Sequence, residues 1–482
     1  MKRTLWAVAL TAVVCLSLQA RADVKPSPLF SDGVVLQRGV KCPVFGTADA
    51  GETVSVSLST GDAKPTAADE AKADKDGRFV AQLPELSAGG PYTLTISGKN
   101  TITVKDVYVG EVWLASGQSN MEMSLNSCAG GKEAAADSKN PKIHLFTVPH
   151  KIAADPTTDL SSKWVECGPD TVGGFSGVAY YFGRDLQKAL NVPVGLIESN
   201  WGGTVAEAWT PRANLEGNPD LKGLVPAEIK IDNQKLNPNQ GTVLFNGMIN
   251  PLLPFAIKGV IWYQGESNAG RAYQYRTLFP TMIQAWREQW KNPDMPFLFV
   301  QLAPYGANPK EPGDSAWAEL REAQLMTSEK VKNTDEAVIT DVGDEKDIHP
   351  KRKEPVGGRL ALAALAIAYN EKVVHDGPIY DSVKFDGNKA ILSFKSVGKG
   401  LEAKDGPLTG FIVCGEDKKF HDAKAEIQGD TVVVTCDQVD KPVAVRYGWT
   451  NTPVVNLFNK DGLPASPFRT DSFPGVTAPK AN

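Results

Sequence analysis

The middle of the chain, from about residue 107 to residue 370, alternates two patterns. Five apolar runs typical of buried strands, VYVGEVWLA, VPVGLIES, IKGVIWYQG, PFLFVQLAP and EAVITDVG, alternate with helical patterns such as VAYYFGRDLQKAL, FPTMIQAWREQW and PVGGRLALAALAIAYN. Strands that are apolar throughout need both faces covered, so this alternation predicts an α/β fold with a parallel sheet and helices on both faces. Ligands of such sheets bind at the carboxyl ends of the strands.

Both flanks of this middle segment are β-rich. In residues 23–106, runs such as TVSVSLS and TLTISG alternate apolar and polar residues between turn signals, and GFIVCGED, DTVVVTCD and KPVAVRYGWT continue this character after residue 371. Short alternating strands at this spacing predict β-sandwiches. We therefore expect an N-terminal β-sandwich over 23–106, an α/β domain over 107–371 and a C-terminal β-sandwich over 372–482.

Residues 1–22 have the features of a cleaved secretory signal. Lys2 and Arg3 precede an apolar stretch from Leu5 to Leu18, and small residues follow at Ala20 and Ala22. The stretch is short for a membrane span, and its order of basic, apolar and small residues is typical of export signals. We expect a periplasmic or secreted protein, and no later segment of the sequence predicts a membrane span.

Charge and cysteine spacing exclude some function classes. The formal net charge is −5, and removal of the three basic residues of the first 22 leaves −8. No basic block remains to bind a nucleic-acid backbone, and no Cys or Cys/His spacing predicts a metal site. We expect no metal and no cofactor. Export permits disulfides, and the candidate pairs are Cys414 with Cys436 and Cys128 with Cys167, while the odd count of five leaves one thiol unpaired.

Ser119 lies in EVWLASGQSNMEMSL, where an apolar strand breaks at Gly117 before a segment that could begin a helix. A serine at such a turn is a candidate nucleophile, because free backbone N–H groups beside it can stabilise an oxyanion. A helix cap formed by Ser119 or Asn120 is the common alternative. This spacing alone favours the cap.

His349 is the candidate base. Of the five histidines, only His349 lies in a loop just after a strand of the middle segment, in TDVGDEKDIHP. Asp347 and Asp344 precede it by two and five positions, and a carboxylate can fix the tautomer of a histidine that accepts a serine proton. A solvated acidic loop with one exposed histidine explains this segment equally well when it is considered alone.

Two more loops follow strands of the same predicted sheet. ESNWGGTVAEAW contains Gly202 and Gly203, whose backbone N–H groups could approach a ligand without steric hindrance. WYQGESNAG presents Gln264, Glu266, Ser267 and Asn268, and an amide side chain is a suitable oxyanion donor. Each loop alone reads as an ordinary turn. Four such loops at the strand ends of one sheet favour an active site.

The ordered motifs Gly-Gln-Ser-Asn, Trp-Gly-Gly-Thr, Gln-Gly-Glu-Ser-Asn and Asp-Ile-His-Pro resemble those of the SGNH hydrolases, in particular the sialate O-acetylesterase branch. The similarity covers nearly the whole chain after residue 22. It implies a flavodoxin-like hydrolase domain flanked by β-domains, which removes acetyl groups from sugar hydroxyls without a metal.

The resemblance also implies roles for individual residues. Ser119 would be the nucleophile, His349 the general base and Asp347 the residue that orients His349. The oxyanion hole would combine the N–H of Ser119, the N–H of Gly202 or Gly203, and an amide side chain, with Gln264 preferred and Asn268 second.

The sequence departs from the family pattern in two places. Many SGNH relatives have Asp-x-x-His, whereas this chain has Asp347-Ile348-His349, so Asp344 or a backbone carbonyl remains an alternative partner of His349. In the third motif we expect Glu266 to organise the loop. Ser267 is a weak rival nucleophile, since no glycine-flanked turn surrounds it.

The leading hypothesis is an esterase that acts on O-acetylated sialic acids through an acetyl-enzyme. An acetylesterase of plant polysaccharide, xylan or pectin, is the alternative within enzymes, because its chemistry is the same. A non-catalytic carbohydrate-binding protein is the alternative outside enzymes. The sequence leaves the oligomeric state open.

Overall fold

The structure is a computed structural model, and it describes residues 23–60, 65–232 and 237–479. The predicted export signal, residues 1–22, lies outside the described residues. Within the described ranges, no helix is long and apolar enough to cross a bilayer.

The N-terminal region forms two groups of strands. Alternation dictates their burial: in Thr53–Ser59 the side chains of Val54, Val56 and Leu58 are fully buried, while the serines between them are partly exposed. The first, third and sixth strands make a three-stranded antiparallel sheet, and the fourth pairs with the fifth and the seventh. These strands are β1 (Lys25–Pro26), β2 (Val35–Gln37), β3 (Cys42–Thr47), β4 (Thr53–Ser59), β5 (Ala67–Lys72), β6 (Arg78–Leu83) and β7 (Gly89–Ser97).

Strand β8 (Thr101–Gly117) joins this region to the middle segment without a break. Its first half pairs antiparallel with β7, and its second half pairs in parallel with two strands of the central sheet. The predicted boundary between residues 106 and 107 therefore falls within one continuous strand.

The central sheet continues with β9 (Asn140–Thr147), β10 (Val165–Cys167), β11 (Val194–Asn200), β12 (Gly259–Tyr263), β13 (Phe297–Val300) and β14 (Thr334–Ala337). Its strand order is β10-β9-β11-β8-β12-β13-β14. All neighbours are parallel except β10, which is antiparallel to β9. The predicted α/β class is confirmed, whereas a purely parallel sheet is wrong, because β10 and the first half of β8 add antiparallel pairs.

Helices cover both faces of the central sheet. Along β12, Val260 and Trp262 pack into one hydrophobic cluster with the helix Ala272–Gln289, while Ile261 and Tyr263 pack into another with the helices Gly177–Leu190 and Glu354–Tyr369. This two-sided burial explains why the strand is apolar throughout. The helices are α1 (Ser119–Glu122), α2 (Gly131–Ala136), α3 (Gly177–Leu190), α4 (Arg212–Glu216), α5 (Ala272–Gln289), α6 (Ala316–Lys330) and α7 (Glu354–Tyr369).

The strand order places a topological switch point at β8. From β8 the chain goes to β9 and β11 on one side and later to β12, β13 and β14 on the other. Gly117 at the end of β8 lies opposite Asn200 of β11 and Tyr263 of β12. Its φ is +138°, and a Cβ there would collide with the Tyr263 carbonyl, so only glycine fits. Three of the four predicted loops therefore begin side by side at the place where α/β sheets bind ligands.

The C-terminal region is β-rich, as predicted, and its strands form sheets of four, two and four strands. Residues such as Leu392, Val413, Val432 and Tyr447 enclose a separate hydrophobic cluster between them. The strands are β15 (Ile379–Asp386), β16 (Lys389–Lys395), β17 (Leu401–Ala403), β18 (Phe411–Cys414), β19 (Phe420–Asp422), β20 (Lys424–Gln428), β21 (Thr431–Thr435), β22 (Ala444–Tyr447), β23 (Leu457–Asn459) and β24 (Phe468–Arg469).

Neither candidate disulfide is present, because all five cysteines within the described residues are free thiols. Cys414 is fully buried in β18, whereas Cys436 is partly exposed just after β21. The Cys128 thiol donates to the Ser124 carbonyl (3.3 Å), and the Cys167 thiol donates to the Ser138 carbonyl (3.5 Å). Burial raises the pKa of Cys167 to about 12, which makes this thiol unreactive.

Candidate active site

Ser119 and His349 are in direct contact. The Ser119 Oγ and the His349 Nε2 are 2.8 Å apart, although the residues are 230 positions apart in the chain. Ser119 is the first residue of the single-turn helix α1, whose N-cap is Gln118 and has no side-chain cap hydrogen bond. The interpretation of Ser119 or Asn120 as a helix cap is therefore wrong, and the serine hydroxyl is directed to a histidine.

Asp347 lies beside His349. Its Oδ1 accepts the backbone N–H of His349 at 2.9 Å and is 3.8 Å from the His349 Nδ1, longer than a hydrogen bond. Asp344 is exposed, and its Oδ1 accepts the backbone N–H of Lys346 at 2.8 Å. Of the two predicted carboxylates, Asp347 is therefore the one adjacent to the imidazole.

Opposing charges act on the His349 imidazole. Burial lowers its pKa from the ordinary value, the neighbouring Asp347 raises it, and the cations of Lys353 and Lys351 lower it further. The net direction is downward, which favours the neutral ring. A neutral Nε2 can accept the proton of the Ser119 hydroxyl, as a general base must.

Backbone N–H groups converge near Ser119. No protein acceptor within the described residues bonds to the Ser119 N–H. Gly202 approaches so closely that a Cβ would lie 3.3 Å from the Ser119 Cβ, and its N–H donates to Glu122 Oε2 at 2.5 Å. Gly203 is exposed and has φ +73°. Ser119 and one of the two glycines are the backbone oxyanion donors that the family resemblance implies.

The predicted role of Gln264 does not fit the structure. This residue is fully buried, and its Nε2 donates to the Thr204 carbonyl (3.1 Å) and to Asn268 Oδ1 (2.6 Å), so neither amide hydrogen is free. The Asn268 amide is also buried and donates to Glu207 Oε2 at 2.9 Å. Both amides tie the loop after β11 to the loop after β12. This bonding depends on tertiary partners that local sequence does not reveal.

Glu122 and His150 form a pair at the rim of the site that was not predicted from the sequence. Glu122 lies one helical turn after Ser119, and its Oε1 is 2.9 Å from His150 Nε2. The hydrogen bond to Glu122 raises the pKa of His150. The His150 ring stacks on Trp201, with centroids 4.2 Å apart and an angle of 5° between the planes. The position of His150 just after β9 could have identified it as a candidate, but that strand was not predicted from the sequence.

The remaining residues of the third motif support the loop. Glu266 accepts a hydrogen bond from the Asn120 amide at 2.6 Å, which agrees with its expected organising role. The Ser267 backbone N–H donates to Gln118 Oε1 at 3.3 Å, and within the described residues no histidine hydrogen-bonds to Ser267. Ser267 is therefore part of the scaffold around Ser119.

A family profile described as carbohydrate esterase, sialic acid-specific acetylesterase, matches residues 109–366, more than half of the chain. The chain belongs to this carbohydrate esterase family. It is accordingly a carboxylic ester hydrolase, and the resemblance seen in the ordered motifs is confirmed.

Proteins similar to this esterase align with it along nearly its whole length. It is 30% identical to the sialate O-acetylesterases of Pongo abelii and Homo sapiens, over 92% of this chain and 92% of each of those proteins. A crystal structure described as a novel carbohydrate acetylesterase from Xanthomonas citri is 41% identical, with a TM-score of 0.85 over 93% of this chain and 100% of that one. The family thus implies an acetylated carbohydrate as substrate.

Replacement of Gly202 by alanine tests the close approach to Ser119 in this esterase. The new Cβ would lie 3.0 Å from Glu122 Oε2 and 3.3 Å from the Ser119 Cβ, so Glu122 or Ser119 must move by a few tenths of an ångström. A displacement of this kind beside Ser119, the candidate nucleophile, should lower kcat/KM for an acetyl ester by about tenfold or more. Gly270→Ala is the matched control, since a Cβ at Gly270 meets nothing within 4 Å. Equal kcat/KM for the two variants would contradict the expected crowding.

Proposed function

We propose that this chain is an SGNH-type carbohydrate O-acetylesterase in which Ser119 is the nucleophile, His349 the general base and Asp347 the acidic partner. The contact of 2.8 Å between Ser119 Oγ and His349 Nε2, at the carboxyl end of the strand that forms the switch point, carries this proposal. A serine activated by histidine at this position is suited to acyl transfer.

The proposed reaction proceeds in two steps. Ser119 Oγ attacks the acetyl carbonyl carbon while its proton passes to His349 Nε2, and a tetrahedral oxyanion forms. The oxyanion collapses, the bond to the sugar oxygen breaks, and that oxygen takes the proton from His349. Water then attacks the acetyl-enzyme with His349 as base, which releases acetate and restores the serine.

The proposed oxyanion donors are backbone N–H groups. In the part of the chain that the structure describes, the Ser119 N–H has no protein acceptor, and the N–H of Gly202 would become available if the Glu122 carboxylate moved aside. The Gly202 N–H already donates to the Glu122 carboxylate. This bond supports the proposal that the same N–H can bind the negative charge of an oxyanion. Gly203, exposed at the same turn, is the alternative donor in this loop.

Two substrate classes remain, each with its own support. O-Acetylated sialic acids are favoured by the similarity to mammalian sialate O-acetylesterases. An uncharged acetylated polysaccharide such as xylan is favoured by two carboxylates at the site, since Glu122 bonds to Gly202 and Asp347 lies beside His349. Two nearby carboxylates would repel a sialate carboxylate. The Ser119–His349 contact disfavours a purely carbohydrate-binding protein.

We also propose the flavodoxin-like organisation that the family resemblance implies, with β-sandwich domains on both sides of the hydrolase domain. The two-sided central sheet and the separate C-terminal hydrophobic cluster support this organisation. Export through a cleaved signal at residues 1–22 is part of the proposal. Its support is the basic, apolar and small-residue order of that segment.

Acetate release tests the reaction and its substrate together. Ser119→Ala should reduce hydrolysis of 4-nitrophenyl acetate by about 10³-fold or more, because no acetyl-enzyme can form. Ser267→Ala is the control and should retain activity. Wild-type protein is then offered O-acetylated sialic acids, acetylated xylan and acetylated pectin. Equal rates for wild type and Ser119→Ala would overturn the proposal, and the preferred substrate decides between the two classes.

The two aspartates near His349 give a second test. Asp347→Asn should lower kcat by about 10- to 100-fold, less than in a fully hydrogen-bonded triad, because the carboxylate lies 3.8 Å from Nδ1. It should also move the acid limb of the kcat/KM profile to lower pH, since Asp347 raises the pKa of His349. Asp344→Asn should change neither quantity. The reverse ranking of the two variants would assign the role to Asp344.

Cleavage of the export signal gives a third test. Expression of the full chain in a bacterium should yield a periplasmic or secreted protein whose first residue is Asp23, read by N-terminal sequencing. Replacement of Ala22 by a bulky residue should block this cleavage, because signal peptidase requires a small residue there. A cytoplasmic product that retains Met1 would contradict export.

A further inference from the structure

The side chain of Asn120, next to the nucleophile, connects three loops of the site. Asn120 is fully buried. Its Nδ2 donates to Glu266 Oε1 at 2.6 Å and to the Ile348 carbonyl at 2.9 Å, while its Oδ1 accepts a hydrogen bond from Lys353 Nζ. One amide thus links the turn that carries Ser119, the loop after β12 and the loop that carries the general base.

The Lys353 ammonium fixes the orientation of this amide. An ammonium group only donates hydrogen bonds, so the oxygen of Asn120 must face Lys353. Both amide hydrogens are then directed to the other side, towards Glu266 and the Ile348 carbonyl. Ile348 directly precedes His349, and its carbonyl is therefore held at a fixed distance from the residue that follows Ser119.

A buried lysine at this position is costly, which indicates a specific contact. Lys353 is fully buried, and burial lowers the pKa of its ammonium to about 8. The Glu266 carboxylate opposes this shift, and the Lys353 Nζ lies 4.9 Å from the centre of the Tyr263 ring. An apolar side chain would avoid the desolvation cost but could not orient the Asn120 amide.

We propose that Lys353 is a positioning residue of the hydrolytic site, which acts through Asn120 to hold the Ile348 carbonyl and thereby place His349 against Ser119. This inference rests on the proposed Ser119–His349 mechanism and deepens it. Asp347 bonds to the backbone of His349 and not to its ring, so the position of the imidazole depends on how its loop is held. The bridge from Lys353 through Asn120 supplies a second attachment for that loop.

The same lysine influences the charge of His349. The charged groups that act on the imidazole are Asp347, Lys351 and Lys353, of which Asp347 raises its pKa and the two lysines lower it. The groups that act on the Lys353 charge are Glu266, Cys128, Lys351 and Asp347, and its Nζ also lies over the ring of Tyr263. Removal of the Lys353 charge should therefore shift the acid limb of the kcat/KM profile to higher pH, opposite to the shift expected for Asp347→Asn.

The test compares Lys353→Met with Arg352→Met in the full-length protein. Arg352 is the neighbouring cation, is exposed, and has no contact with Asn120. Lys353→Met should lower kcat by about 10- to 100-fold with KM changed by less than about threefold, because the base is misplaced while the pocket remains. Hydrogen–deuterium exchange of residues 344–353 should rise in Lys353→Met and stay at the wild-type level in Arg352→Met.

A second variant covers the case in which Lys353→Met does not fold. Asn120→Asp keeps an oxygen for Lys353 but replaces the donating nitrogen with an acceptor that faces Glu266 and the Ile348 carbonyl. It should raise exchange of residues 344–353 and lower kcat at least as far as Lys353→Met. Should kcat remain at the wild-type level in whichever of the two variants folds, the positioning role is overturned, even if exchange rises.

The exchange measurement also separates this inference from the proposed reaction. If wild type were as slow as Ser119→Ala, hydrolysis by Ser119 would be refuted and the positioning role with it. A rise in exchange for Lys353→Met would then show only that the bridge holds the loop. If wild type is active and Lys353→Met is unchanged in kcat and exchange, the mechanism stands and the inference about Lys353 fails.

Discussion

The parallel pairing of β8 with β11 and β12 is the constraint on which the site depends. This ladder continues one residue beyond the strand ends: the Trp201 N–H donates to the Gly117 carbonyl at 3.1 Å, and the Gln118 N–H donates to the Tyr263 carbonyl at 3.0 Å. The ends of β11 and β12 are thus bonded to the turn that carries Ser119, just before the loop that follows each strand. Only glycine can occupy position 117 between them, and the sharp turn that follows exposes the serine hydroxyl.

His349 reaches the same place from the far edge of the sheet, so its position needs independent support. It belongs to the long connection between β14, an edge strand, and α7. A general base must be neutral before the reaction and charged within it, which requires a balance of nearby charges. In the proposed reaction, the partly exposed Asp347 would stabilise the imidazolium of His349, and the buried Lys353 would oppose its formation. Burial, Lys353 and Lys351 outweigh Asp347, so the net effect lowers the pKa of His349 and favours the neutral ring.

Elements with strong periodicity were predictable from the sequence, whereas others depend on tertiary contacts. The patterns predicted helices at 178–190 and 355–370, and the structure has Gly177–Leu190 and Glu354–Tyr369. Helix α6 was missed because it buries polar side chains, Glu319, Arg321 and Gln324, and so lacks an apolar stripe. In the same way, the sequence motifs identified Ser119 and His349 as candidates. They could not show that both amide hydrogens of Gln264 are already donated or that Lys353 is buried, because both facts depend on residues distant in the chain.

The spacing Asp347-Ile348-His349 has a direct structural consequence. An aspartate side chain readily accepts the backbone N–H two residues later, which forms an Asx-turn, and Asp347 does so at 2.9 Å. That bond draws the carboxylate towards the backbone and leaves it 3.8 Å from the imidazole, so the shorter spacing uses Asp347 to shape the loop as well as to supply charge. The orientation of the imidazole then depends on how the loop that carries it is held, and the bond from the Asn120 amide to the Ile348 carbonyl is one such attachment. The shorter Asp347-Ile348-His349 spacing and the buried Lys353 therefore act together in the proposed site: the first shapes the loop that carries His349, and the second helps to hold that loop in place.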